Sequence, residues 1–145
     1  MPYPEFFVAP MREELASLGV EELRTPADVD AAVKNTSGTL MIVVNSVCGC
    51  AAGKARPGLA LALRGGARPD RIASVFAGFD ADATAQARTY FTGFAPSSPS
   101  MALFRDGKLV WALHRFEIES RQAPEIAGIL TQAFDRFCVR AAEAR

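Results

Sequence analysis

Hydrophobic positions follow two rhythms along this chain. Leu40-Met41-Ile42-Val43-Val44 is apolar at every position, which a half-buried strand of period two would not give, and it predicts a central strand covered on both faces. Ile72 to Phe79 predicts a second strand and Met101-Ala102-Leu103-Phe104 a third. Asp106-Gly107 between two apolar runs predicts a tight hairpin that returns as Leu109 to His114. Elsewhere the spacing is helical. Thr25 as N-cap, Pro26 at the first helical position and Asp28 to complete the cap open a helix with Val29, Ala32 and Val33 on one face. Ala51 to Leu63 predicts a helix bent at Pro57, and Asp80 or Asp82 caps another that runs through Ala87, Tyr90 and Phe91. Ile126, Ile129, Leu130, Ala133, Phe134 and Phe137 mark a last amphipathic helix, with Cys138 continuing its apolar face. A short first helix over Val8 to Leu15, with Pro10 in its first turn and Gly19 ending it, is expected across the outside of the sheet. Together these predict an α/β fold in one domain over residues 1–145, with a mixed sheet of about four or five strands flanked by helices on both faces.

Composition narrows the classes. A chain of 145 residues buries roughly 70% of the surface its unfolded form exposes, so it folds on its core alone. Sixteen basic residues balance sixteen acidic ones, which leaves no net field toward nucleic acid or an anionic membrane. No apolar stretch approaches the roughly 20 residues of a membrane span. Met1 to Glu5 lacks the basic segment and apolar core of a secretory signal, and a cytoplasmic location is expected. Three cysteines in such a compartment suggest a redox pair and a packing cysteine rather than a disulfide framework.

The pair is Cys48-Gly49-Cys50, inside Asn45 to Gly53, where the central strand hands over to a helix. The first turn of a helix offers unpaired N–H groups and the positive end of its dipole, both of which favour a thiolate. That pattern points to thiol–disulfide exchange. A disulfide across a single spacer closes a small ring, and departures from preferred geometry make it easier to reduce; Gly49 is the spacer best able to accept the backbone angles. An oxidising pair is expected. Asn45 and Ser46 are candidates to orient the loop through side-chain hydrogen bonds. Other readings are two buried small residues or a metal site, copper(I) on two thiolates being the most plausible form; His114 and Cys138 lie far off in sequence for a four-ligand zinc site. His114 beside Cys48 would instead make a hydrolase dyad, and nothing in the sequence puts it there. Trp111 reads as a strand residue packed on a helix.

Asn45 to Gly53, Tyr90 to Ser100 and Ala133 to Cys138, with Pro10-Met11-Arg12 and Glu22 to Pro26, resemble the bacilliredoxin family over nearly the whole chain. The resemblance implies a thioredoxin-like fold, no cofactor and removal of bacillithiol from mixed disulfides on cytosolic proteins. Its partners would be bacillithiol or a similar low-molecular-weight thiol and S-thiolated client proteins. Cys48 would attack the bacillithiol sulfur, and Cys50 or a second small thiol would clear the adduct. Pro99 falls where a thioredoxin-like fold has a cis-proline facing the thiols, leaving the Ser98 backbone to pair with an extended substrate. Lys54 and Arg56 would attract the carboxylates of bacillithiol, or are ordinary solvated helix charges. Val47 stands where thioredoxins carry a tryptophan, which argues against plain thioredoxin activity. A protein disulfide isomerase or oxidase, and a non-catalytic copper-binding module, are the alternative functions.

Overall fold

The computed structural model describes residues 4–47, 49–92 and 97–138, with 49–52 described by backbone alone. The chain runs α1 (Glu5–Ala16), β1 (Glu21–Glu22), α2 (Pro26–Asn35), β2 (Thr39–Asn45), α3 (Gly49–Ala62), β3 (Arg71–Phe76), α4 (Ala81–Tyr90), β4 (Ser100–Arg105), β5 (Lys108–Leu113), α5 (Arg115–Glu119) and α6 (Ala123–Phe137). All seven residues of β2 are buried, as an unbroken apolar run requires. It lies in the middle of a sheet ordered β1-β3-β2-β4-β5. β1 and β2 run parallel to β3, while β4 is antiparallel to β2 and β5 to β4.

Alternate side chains of β2 enter two separate cores. Met41 and Val43, with Met101 and Leu103 of β4, meet Leu59 of α3 and Ile126, Leu130 and Phe134 of α6. Leu40, Ile42 and Val44, with Ala102 and Phe104, meet Val29 and Val33 of α2 and Ala83 and Ala87 of α4. Burying each large side chain of this kind contributes about 1.5–3 kcal/mol relative to leaving it in water, so the strand that ends at Asn45 is held from both faces.

Local signals are obeyed at several joints. Thr25 Oγ1 accepts the Asp28 N–H at 3.1 Å, and Asp28 Oδ2 accepts the Arg24 N–H at 3.2 Å. Asp106 and Gly107 both take positive φ, 50° and 82°, which the tight hairpin needs. The Ser98–Pro99 bond is cis.

Other expectations are corrected. Helix α1 starts at Glu5 with Pro4 as its N-cap, so Pro10 sits in its interior and not in its first turn. The helix extends backward because Val8 is fully buried and its N–H bonds to the Pro4 carbonyl. β3 stops at Phe76, where a turn through Gly78 at φ 82° brings the Phe79 and Asp80 N–H groups onto the Phe76 carbonyl. Asp80 is the N-cap residue of α4, yet its side chain makes no capping bond. β1 and α5 are additional elements, and Cys138 is the C-cap residue beyond α6 in extended conformation rather than a further position on its helical face.

Candidate functional site

Sheet register brings the candidate residues to one end. Val44 pairs with Ser100 and Asn45 with Phe76, so the segment leaving β2, the Ser98–Pro99 segment entering β4 and the turn leaving β3 lie side by side at the carboxyl ends of the parallel strands. Backbone at this end must satisfy its own hydrogen bonds. Asn45 is 3% exposed and does much of that: its Oδ1 accepts the Ser46 N–H at 2.9 Å, its Nδ2 donates to the Met11 carbonyl at 3.3 Å, and its carbonyl accepts the Ala77 N–H at 3.0 Å. Ser46 is buried and Val47 half-buried. Cys48 lies outside the described residues. The backbone of α3 begins at Gly49, which makes Cys50 its second residue; the Cys50 side chain is likewise not described.

Arg56 and Lys54 are both turned to protein groups. Arg56 is buried, its Nη1 donating to Asn45 Oδ1 at 3.0 Å and to the Ser46 carbonyl at 2.9 Å, while Nε meets Glu14 Oε1 at 2.8 Å. It is therefore not a solvated helix charge. Lys54 Nζ donates to the Glu119 carbonyl at 2.8 Å and ties α3 to α5. On the opposite side of the turn, Arg115 Nη1 donates to the Ser98 carbonyl at 2.9 Å, and its N–H donates to Ser97 Oγ at 3.3 Å. Nothing in the sequence marked Arg115, Glu14 or the Met11 carbonyl, because their roles depend on where α1 and α5 pack.

Arg12 anchors α1 to the same end of the sheet. Its Nη1 is 2.9 Å from both Glu22 Oε1 and Asp80 Oδ2, its Nε is 3.2 Å from Glu5 Oε2, and its guanidinium lies over the Phe76 and Phe79 rings. Burial works against that charge, but the hydrogen bonds to Asp80 and Glu22 outweigh it and hold Arg12 above its ordinary value. His114 follows β5 at this end too, as the N-cap residue of α5, two strands or about 10 Å from β2, with its ring stacked on Phe116 at 5.7 Å.

Comparison with known proteins bears on the family and the fold. Residues 3–138 match the family model described as Disulphide isomerase. A bacilliredoxin of Koribacter versatilis is 54% identical over 143 residues, covering 99% of each chain. The chain belongs to the bacilliredoxin family. A second bacilliredoxin, from Salinibacter ruber, is 53% identical over 95% of this chain and 82% of its own, and one from Bacillus cereus is 50% identical over 94% and 95%. Among solved structures, Fasciola hepatica thioredoxin superposes with a TM-score of 0.56 at 15% identity, covering 81% of this chain and 99% of its own. Oxidised mitochondrial thioredoxin 3 of Saccharomyces cerevisiae gives 0.56 at 14%, covering 82% and 96%. The fold is thioredoxin-like, and this bacilliredoxin is a thiol–disulfide oxidoreductase with a thiol-based redox partner.

The third cysteine of this bacilliredoxin belongs to the other end of the sheet. Burial pushes the Cys138 thiol up, while a hydrogen bond with the Thr39 side chain works the other way. Thr39 is the first residue of β2 and Asn45 the last, a span of about 20 Å at the usual strand rise, so Cys138 is remote from the thiol turn. Among the described residues, no three His, Cys, Asp or Glu side chains converge as metal ligands would, and no helix is long and apolar enough to cross a membrane. Trp111 packs half-buried against the core beneath α6.

Proposed function

We propose that this bacilliredoxin removes bacillithiol from mixed disulfides on cytoplasmic proteins, with Cys48 as nucleophile and Cys50 as partner thiol. The Cys48 thiolate attacks the bacillithiol sulfur, forming a Cys48–bacillithiol disulfide and releasing the client's thiolate. Cys50 as thiolate then attacks Cys48, closing the Cys48–Cys50 disulfide and releasing bacillithiol as a thiolate that takes up a proton. Two molecules of a low-molecular-weight thiol then reopen that disulfide, the first forming a mixed disulfide on one cysteine and the second releasing it as the small thiol's own disulfide, which carries away the two electrons. The observation that carries the reading is the Cys-Gly-Cys run at the handover from β2 to α3, in a chain 54% identical over 99% of its length to a bacilliredoxin. Helix starts and a pKa near ambient pH both suit an attacking thiol. Ser98 and Pro99, beside that handover, are the proposed contact for an extended client segment.

Intact mass tests the order of attack. After mixing with a bacillithiol-modified target, Cys50→Ala should retain a bacillithiol adduct, Cys48→Ala should carry none, and target thiol should appear only where Cys48 is present. Absence of any adduct while both thiols react with iodoacetamide would sink the reading. The name of the matched family favours a second one, isomerisation of protein disulfides, which predicts turnover on a scrambled disulfide substrate without any small thiol.

A further inference from the structure

Arg56 and Glu14 form an ion pair that the reaction scheme above does not use. An arginine stays charged at any ordinary pH, and burying its guanidinium is costly unless each donor is met. Here the cost is met from three elements: Glu14 from α1, the Asn45 side chain from the end of β2, and the Ser46 carbonyl from the thiol turn itself. Asn45 Oδ1 receives both the Arg56 Nη1 and the Ser46 N–H, so guanidinium and turn share one acceptor. We infer that Arg56 is a positioning residue for the thiol turn and that its balance with Glu14 sets how readily Cys48 ionises. This rests on the reading of Cys48 as the nucleophile.

The geometry gives the two charges different leverage. The guanidinium bonds directly to the turn, whereas Glu14 meets its far side through Nε and is 43% exposed to water. Ser46 lies two residues before Cys48, which chain reach keeps within about 8 Å between Cα atoms. Arg56 is thus the charge bonded to the turn and favours the thiolate, and Glu14 is the partly screened one that opposes it. Other charged groups at this end are Arg12 with Glu5, Glu22 and Asp80, Arg24 beside Glu5 and Asp80, Lys54 on α3, and His114, Arg115, Glu117 and Glu119 at the β5–α5 corner.

Removing either partner abolishes the same ion pair, yet the two removals should move the thiol in opposite directions. At about 10 Å, one unit charge shifts an ionisation by about 0.3 to 1 pH unit between water-like and surface-protein screening. The rate of Cys48 alkylation by iodoacetamide against pH, read by peptide mass, gives the ionisation midpoint. Arg56→Met should raise it by that amount, and Glu14→Gln should lower it. Arg56→Lys should keep the midpoint near the unmutated one but slow exchange, since one ammonium cannot fork to both Asn45 and Ser46. A merely structural pair would move the midpoint the same way in both charge-removing variants, and that outcome, or no shift in Glu14→Gln, overturns the inference. Should Arg56→Met fail to fold, Glu14→Gln and Arg56→Lys still decide it. Exchange persisting in Cys48→Ala would instead refute the nucleophile assignment, a separate result.

Discussion

Gly58→Ala is a substitution for which helix propensity and packing disagree. Gly58 lies inside α3, where alanine is the better helix former by about 1 kcal/mol. A Cβ there would sit 2.7 Å from Ile126 Cγ2, 2.9 Å from Ile126 Cβ and 3.3 Å from the Ala123 carbonyl of α6. Ile126 is fully buried, its branched side chain has one favoured rotamer in a helix, and its Cβ moves only with the backbone. Overpacking costs about 1–3 kcal/mol, and with Ile126 Cβ unable to move aside the upper part of that range, about 2–3 kcal/mol, applies, so packing should win by about 1–2 kcal/mol net. Gly53, in the same helix, has nothing within 4 Å of an added Cβ, and Gly53→Ala should gain about 0.5–1 kcal/mol. Urea midpoints at unchanged slope would show the two shifts, and melting temperatures should separate by about 6–10 °C. In a double-mutant cycle, Gly58→Ala with Ile126→Ala should be less destabilised than the sum by at least about 0.5 kcal/mol. The reasoning fails if Gly58→Ala is as stable as the unmutated protein, or if Gly53→Ala loses as much. Because the contact joins α3 to α6, it also bears on how firmly the helix that begins at the thiols is seated.

Three further outcomes follow from the same contacts. Arg12→Met leaves the nearly buried Asp80 carboxylate with only the half-exposed Arg24, 3.9 Å away, and should cost about 2–4 kcal/mol by urea titration, less than a fully buried pair because Arg24 remains and Glu22 and Glu5 stay in touch with water; a loss under about 1 kcal/mol would contradict it. Cys138→Ala should keep full exchange turnover while costing about 1 kcal/mol of stability, since the thiol is buried at the far end of β2; lost turnover would contradict the separation. Tyr90 Oη donates to Asp30 Oδ1 at 2.6 Å, which holds Asp30 below its ordinary 3.8 and Tyr90 above its ordinary 10.0. A depressed carboxyl stabilises above its unfolded value and loses this as pH falls through the folded one, whereas a raised phenol stabilises below its unfolded value and loses this as pH rises. The melting-temperature deficit of Tyr90→Phe should therefore be flat between about pH 4 and 10 and shrink outside that window, and a deficit independent of pH down to the acid limit would refute it.

Much of the frame was legible because the deciding information is local. A five-residue apolar run, a threonine–proline–aspartate start and an Asp-Gly pair each specify structure within a few residues, and β2, α2 and the hairpin formed accordingly. β1 was not legible. Its two residues, Glu21 and Glu22, are both exposed, and it exists through backbone pairing with Ala73 and Ser74, which leaves no side-chain period to read. Pro10 misled for the opposite reason: its local preference is for a first turn, but burial of Val8 and the ion pairs of Arg12 outweigh the roughly 3 kcal/mol a helix-interior proline can cost. At the candidate site, the cysteines and Pro99 were visible as residue types in a pattern. Arg56 was visible only as a bacillithiol contact or a solvated helix charge, and Glu14 and Arg115 not as site residues at all, since an arginine that will be buried looks in sequence like one that will be solvated.

The polar wiring of the two sheet ends differs in what closes the turns next to β2. At the amino end of β2 the turns are closed by short carboxylates: Asp70 Oδ2 accepts the Thr39 N–H at 2.8 Å, and Asp106 Oδ1 accepts the Gly38 N–H at 2.7 Å. There the exposed groups are N–H donors, which carboxylates suit. At the carboxyl end the strands leave carbonyls pointing outward, and those need donors. Phe76 receives them from the Phe79 and Asp80 N–H groups, Asn45 from Ala77, Ser46 from Arg56, and Ser98 from Arg115. Arginine can reach a strand end from a helix and offer several donors at fixed angles, which lysine does less well. It brings a permanent positive charge along with those donors. The requirement that buried carbonyls be satisfied at this end of a parallel pair thus supplies, as a by-product of folding, cations at the end of β2 from which the chain continues to Cys48, the proposed thiolate.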